Sequence, residues 1–177
     1  MSRIEGAAKP HLLPMILGQE VVIPVPAQRT VAIWAVLKAM TFEFTSASTR
    51  HPFFSTEERK VFSDTQLPPP PVQVFLAGYV GSCAVWARGS ATNLTGPSGV
   101  VSAYASTASF GALVFQVFSL RARAPAAIPV ADSFDGADIR IWPPQAKPVV
   151  WPPDFVLDQP ALVSFATRWA TPPAAEV

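Results

Sequence analysis

The hydrophobic pattern of the first third of the chain is that of a buried helix. From Ala27 to about Thr45, apolar residues occupy nearly every side, and Lys38, Thr41 and Thr45 form the single polar stripe. A helix that is apolar almost all round belongs in a core. Pro26 precedes this segment at a position where a helix tolerates proline. We therefore predict a central core helix.

Shorter helices are predicted on both sides of this segment. Residues 2–5 have the spacing of a capping box, and Pro10 and Pro14 should limit the helix that follows to short pieces. A second capping box at residues 55–58 predicts a helix that runs to about Asp64. Residues 1–66 are therefore expected to be mainly helical.

In the middle third, the hydrophobic period changes to that of strands. Val72–Ala77 alternates, turn residues follow at Gly78–Gly81, and a second run spans Cys83–Arg88, which suggests a hairpin. Val100–Ala108 and Ala112–Leu120 are rich in β-branched and aromatic residues. Residues 67–120 are therefore predicted to form a β-meander.

The last third is extended and rich in proline until Asp158, which is a candidate N-cap. After it, Leu162, Phe165 and Trp169 fall on one helical face. We expect residues 121–157 to be extended, residues 158–170 to form a helix and residues 171–177 to be a loose tail.

These elements add up to one α+β domain over residues 1–170. The predicted fold is a central apolar helix with short helices, packed on an antiparallel sheet of four to five strands and closed by a C-terminal helix. A chain of 177 residues, half of them hydrophobic, has enough apolar material for one core of this kind.

The middle of the chain is nearly uncharged. Thirteen Lys and Arg against twelve Asp and Glu leave a net charge of +1, yet residues 67–120 contain only Arg88. Strands without charge either are covered on both faces or meet a partner, so we predict a protein partner or a homo-oligomer through this region. The near-neutral balance gives only weak support to nucleic-acid binding.

No segment suggests a membrane or an export pathway. The longest apolar stretch, Val31–Phe44, is too short to span a bilayer and contains Lys38 and Glu43, which we expect to extend to the helix edge. The chain has a single cysteine and no recognisable export signal. A cytoplasmic protein with no membrane partner is the expectation.

The side chains that carry most enzyme chemistry are few and scattered. His11 and His51 lie beside prolines, and Cys83 falls in an apolar predicted strand, where we expect a buried, inert thiol. Two histidines and one cysteine cannot build an ordinary structural zinc site. We predict no catalytic residue, no metal and no cofactor.

The clustered carboxylates have structural explanations as well. Glu57 and Glu58 occupy a first helical turn, where acids complement the helix dipole. Asp132, Asp135 and Asp138 lack the spacing of a calcium loop, so a solvated loop is expected.

One short pattern occurs twice, nine residues apart. Trp142 and Trp151 each precede two prolines, so each ring lies on a stiff extended backbone. Both rings could clamp the segment to the domain. Alternatively, Trp142 and Trp151, flanked by Arg140 and Lys147, could form a stacking or docking surface.

Several stretches of the chain carry a resemblance: residues 1–18, 34–36, 72–76, 113–118, the two Trp-Pro-Pro segments and 156–158. Together they resemble a family of largely uncharacterised bacterial and phage proteins. Longer members of that family are similar, at their N-terminus, to the zinc-binding treble clef of HNH-type nucleases. In this chain Met1 and Ser2 fall where that element would end, so the resemblance transfers no metal or catalytic role. The family's Trp-Ala-x-Lys is also altered, since its lysine is displaced by one place to Lys38.

Three functions follow as hypotheses. The first is a non-catalytic binding or accessory domain, because no catalytic constellation is present and the middle of the chain is poor in charge. The second is the C-terminal part or remnant of an HNH-like nuclease that has lost its zinc module, which codons upstream of Met1 would test. The third is a single-strand binder that uses Trp142 and Trp151.

Overall fold

A computed structural model describes most of the chain. Expectations for Ser2, His51, Asp132, Asp135 and the tail 171–177 lie outside the described residues. The described residues are 3–45, 52–96, 99–121, 134 and 136–169, with side chains omitted for 94–96 and for 99 and 100.

The fold is α+β, as predicted, with four helices among the described residues. A short strand, β1 (Val21–Ile23), lies between the first two helices. The helices are α1 (Arg3–Ile16), α2 (Val25–Phe42), α3 (Thr56–Thr65) and α4 (Gln159–Thr167). The other strands are β2 (Val72–Tyr79), β3 (Val85–Gly96), β4 (Gly99–Phe110), β5 (Leu113–Arg121), β6 (Asp138–Trp142), β7 (Val149–Trp151) and β8 (Val156–Leu157).

The strands form one large sheet and one small sheet. The large sheet has the order β3-β4-β5-β2-β6, and β8 pairs in parallel with the end of β2. β1 and β7 form the two-stranded sheet. The large sheet has six strands rather than four or five, because β6 and β8 come from the segment predicted only as extended.

The hairpin predicted between β2 and β3 is wrong. β3, β4 and β5 do follow one another as a meander, but β2 lies beside β5, with Val72 opposite Ser119 and Gly78 opposite Leu113. Every residue of β2 is buried. This burial explains the error, because a strand covered on both faces favours a central place in the sheet over a hairpin at its edge.

The helix α1 is longer than predicted. It includes both Pro10 and Pro14, although each proline removes a backbone donor. Three residues of α1, Ala8, Leu12 and Met15, are buried in the core that α1 shares with α2. Tertiary packing thus maintains a helix that local sequence preference alone would interrupt.

Local capping signals gave accurate helix starts. The side chain of Ser55 accepts a hydrogen bond from the Glu58 N–H at 3.1 Å, and Glu58 accepts one from the Ser55 N–H at 2.6 Å, so the predicted capping box at α3 is confirmed. Asp158 caps α4 by accepting from the Ala161 N–H at 2.9 Å. Leu162 and Phe165 of α4 are buried, as predicted.

Two cores cover the two faces of the large sheet. The first lies under α1, α2 and α3 and includes Trp34, Leu76 and Phe115. The second lies under α4 and includes Phe118 and Phe165. The central strands are therefore buried on both sides.

Candidate functional site

The long strand β3 forms one edge of the large sheet. Each of its twelve residues is in register with a residue of β4, from Val85 opposite Phe110 to Gly96 opposite Gly99, without a bulge. Within the described part of the chain, β3 pairs with no other strand. Its outer side is therefore a regular row of backbone groups without a strand partner.

The direction of these backbone groups follows from one hydrogen bond. Ala84, directly before β3, accepts a bond from the Gly111 N–H at 2.9 Å, so its carbonyl points toward β4. Successive residues of a strand direct their backbone groups to opposite sides. The odd-numbered residues of β3 therefore direct theirs outward. Consistent with this, the outward carbonyl of Val85 accepts from the thiol of Cys83 at 3.4 Å.

The side chains of β3 are mostly exposed. Val85 is 63% exposed, and Ala87, Arg88 and Ala91 are exposed as well. Arg88 is the only charged residue in the strand. Natural edge strands usually carry lysine, proline or a bulge that prevents pairing with another chain. Other charged residues have the same effect, but Arg88 is the only one in β3, and the described part of this strand has no lysine, proline or bulge.

The side of β3 that faces the helices is supported by an aromatic cluster. A Cβ atom at Gly89 would lie 2.9 Å from the hydroxyl oxygen of Tyr104, so Gly89 leaves room for this ring. Tyr104 stacks on Phe53 at a centroid distance of 5.3 Å and meets Phe54 edge-on at 6.0 Å. Burial and the nearby charge of Glu43 raise the pKa of Tyr104 to about 12. Tyr104 is therefore neutral near pH 7.

A buried ion pair lies behind this cluster. The Glu43 side chain is 1% exposed, pairs with Arg59 and accepts a hydrogen bond from the Phe53 N–H at 2.8 Å. Burial raises the pKa of Glu43, against the lowering effects of the Phe53 N–H and of Arg59. The expectation that Glu43 reaches the helix edge is thus wrong, because the ion pair with Arg59 and the hydrogen bond from the Phe53 N–H stabilise its carboxylate inside the protein. Lys38 is partly buried and pairs with Glu5 at 2.5 Å.

The opposite face of the sheet has a second buried polar group. Arg168, at the end of α4, pairs with Asp138 at 2.5 Å and donates to Gln116 at 2.9 Å. Its guanidinium group lies over the rings of Phe165 and Trp169 at 4.4 and 4.0 Å. Burial lowers the pKa of Arg168, and Asp138 opposes that shift. The aspartate is therefore part of the interior and does not lie in a solvated loop.

The residues of the predicted stacking surface differ in exposure. Trp151 is 1% exposed in the first core, whereas Trp142 is partly buried against that core and Arg140 lies on the same strand. Lys147 is exposed, and its carbonyl accepts a bond from Gln28 at 2.9 Å. The ring of Trp151 therefore presents no face to a ligand. Ligand binding by Trp142, Arg140 and Lys147 stays a prediction.

The remaining candidate residues are not brought together. Cys83 is partly exposed in the connection before β3, so the expectation of a buried thiol in a strand is wrong. The helix α1 carries His11, and Glu57 lies in the first turn of α3. Among the described residues, no three His, Cys, Asp or Glu side chains are grouped closely enough to hold a metal ion.

Comparisons with known proteins add no assignment. No protein-family model, curated protein or solved structure matches the chain. The resemblance to a family related to HNH-type proteins stays a prediction. Within the described residues, no helix combines the length and apolarity that a bilayer crossing requires.

Proposed function

We propose that this chain is a non-catalytic binding domain that associates with a second copy of itself through the outer side of β3. The observation that supports the proposal is the twelve-residue, bulge-free register of an edge strand that contains a single charge. A second copy would extend the sheet by antiparallel pairing, which satisfies the outward backbone groups of both strands.

The edge suits pairing with itself in both register and charge. A two-fold axis perpendicular to the sheet keeps each side chain on the same face of the sheet in both copies. Residues that oppose each other must therefore be both even-numbered or both odd-numbered. An axis at Ser90 places Arg88 opposite Thr92 of the second copy. The two arginines are then offset by four residues, about 13 Å along the strand. That separation exceeds the screening length of about 8 Å at physiological salt, so their repulsion is small.

Sedimentation across a concentration series tests the proposal. One strand pair is a small interface, so we expect a dimer with a Kd on the order of micromolar. Ala87→Lys adds a charge to the exposed edge and should weaken the dimer at least about ten-fold. Val61→Lys, on the exposed side of α3, is the matched control and should leave dimerisation unchanged.

A second variant removes the outward donor directly. The Ala91 N–H points away from β4, so Ala91→Pro should abolish pairing with another strand while the β3–β4 ladder persists. A wild-type protein that is monomeric up to about 1 mM would overturn the proposal. So would a dimer that Ala87→Lys and Ala91→Pro leave intact.

We also propose a cytoplasmic location. Cys83 is a partly exposed free thiol, and the chain has no second cysteine. Such a thiol suits a reducing compartment. Fractionation of cells that express the full-length protein would test this, and recovery outside the cytoplasm would contradict it.

A further inference from the structure

A pocket among the helices lies apart from the β3 edge. It has a volume of about 420 Å³. Among the described residues, its lining comes from α1, α2 and α3 and from Phe44 and Gln66, which lie just after α2 and α3. This volume falls within the range of about 300–1,000 Å³ that is typical of small-molecule sites. The association through β3 does not use this pocket, so the two proposals are independent.

The pocket combines an apolar lining with cationic groups. Its apolar lining comes from Ile4, Leu37, Met40, Phe44 and Phe62. Met40 and Phe62 are buried in the first core, so Ile4, Leu37 and Phe44 offer most of the accessible apolar surface. In the described part of the chain, neither aspartate nor glutamate lines it. The charge of the pocket is therefore positive above an apolar interior.

The two arginines of the pocket are held differently. Arg59 is fixed by Glu43, by the Met40 carbonyl at 2.8 Å and by the Phe54 carbonyl at 3.1 Å, and it lies 4.5 Å from the centre of the Phe44 ring. Arg3 is exposed and forms no ion pair with the described residues. Arg59 is thus held rigidly and its charge is compensated by Glu43, whereas the charge of Arg3 has no ion-pair partner among the residues that the structure describes.

We infer that this pocket binds a small amphiphilic carboxylate, with its apolar chain against Ile4, Leu37 and Phe44 and its carboxylate beside Arg3. Apolar burial supplies most of the affinity of such a ligand, and a charge-assisted hydrogen bond to a guanidinium selects the anion. A cationic amphiphile of equal length lacks this second contribution and meets repulsion from Arg3.

Calorimetric titration with three ten-carbon probes tests this inference. Decanoate should bind the full-length protein at one site, decanol should bind about three- to ten-fold more weakly, and decyltrimethylammonium more weakly still. Arg3→Gln should reduce the affinity for decanoate to that of decanol. Arg29→Gln removes an exposed arginine outside the pocket and should have no effect.

Filling the pocket provides the second readout. Ser63 lines the pocket on the exposed side of α3, so Ser63→Trp should abolish decanoate binding without disturbing the core. Val61→Trp, on the same helix but outside the pocket, is the matched control. Three outcomes would overturn the inference: no decanoate binding, equal binding of the cationic probe, or equal effects of the two tryptophans.

Discussion

The central strands β2 and β5 and the edge strand β3 are all poor in charge, but their surroundings differ. Every residue of β2, and Leu113–Leu120 of β5, is buried under helices. Most of β3, in contrast, is exposed, and one side of its backbone has no strand partner among the described residues. A strand that is poor in charge is therefore not always a buried one. At the edge of a sheet, the same composition leaves the strand open to association.

The covered region should respond most strongly to the loss of a single charge. Asp138→Ala leaves Arg168 buried without its counter-ion, so we expect a loss of about 3–5 kcal/mol in the free energy of unfolding, measured with urea. Asp154→Ala, at an exposed aspartate, is the control and should cost less than about 0.5 kcal/mol.

A double variant separates the cost of leaving Arg168 without its counter-ion from the contribution of the ion pair itself. Replacing Arg168 by Met together with Asp138→Ala removes both charges, so much of the lost stability should return. If the double variant is less stable than Asp138→Ala alone, the stacking of Arg168 on Phe165 and Trp169 matters more than its charge.

Proline substitutions at two neighbouring positions test the two sides of the β3 backbone separately. The Ser90 N–H points toward β4, so Ser90→Pro removes a ladder bond and should cost about 2–3 kcal/mol of unfolding free energy. The Ala91 N–H points outward, so Ala91→Pro should cost less than about 1 kcal/mol when measured on the monomer. Equal losses in urea unfolding would contradict the assigned direction of the backbone groups.

Sequence patterns predicted what depends on near neighbours. The capping box at Ser55 and the N-cap at Asp158 each join residues only three positions apart in the chain, and both form. The β2–β5 pairing and the Glu43–Arg59 ion pair join residues that are far apart in the chain, and neither was predicted. Alternation could not reveal the neighbour of β2, because both of its faces are buried.

The candidate edge was predicted only in outline. The charge-poor region was visible in the sequence, but Arg88 as its single charge does not distinguish a central strand from an edge strand. Only the observed strand order shows that β3 is last in the sheet. The pocket near Arg3 left no signal in the sequence, because it forms where three helices meet.

A smaller effect is expected where β3 meets its aromatic support. Gly89→Ala brings a Cβ atom within 2.9 Å of the Tyr104 hydroxyl, so we expect a loss of about 1–2 kcal/mol in thermal unfolding. Tyr104→Phe in the same chain removes the clashing atom and should recover part of this loss. Gly6→Ala, where a Cβ meets no atom within 4 Å on a helix, should instead stabilise by about 0.5–1 kcal/mol.

The smallest effect concerns pH and the ion pair behind that support. Burial raises the pKa of Glu43 above its usual value of 4.5, so the folded chain holds this proton more tightly than the unfolded chain. The stability contributed by the protonated Glu43 is therefore lost as the pH rises from the usual value through the raised one, and the loss is complete above it. In urea unfolding across this range, the wild type should lose stability relative to Glu43→Gln, which cannot titrate. Glu57→Gln, which removes the same charge at an exposed position, is the control. A difference between wild type and Glu43→Gln that stays constant with pH would contradict the raised pKa and show that Arg59 and the Phe53 N–H balance the burial of Glu43. A difference that grows in favour of the wild type would show that they outweigh it.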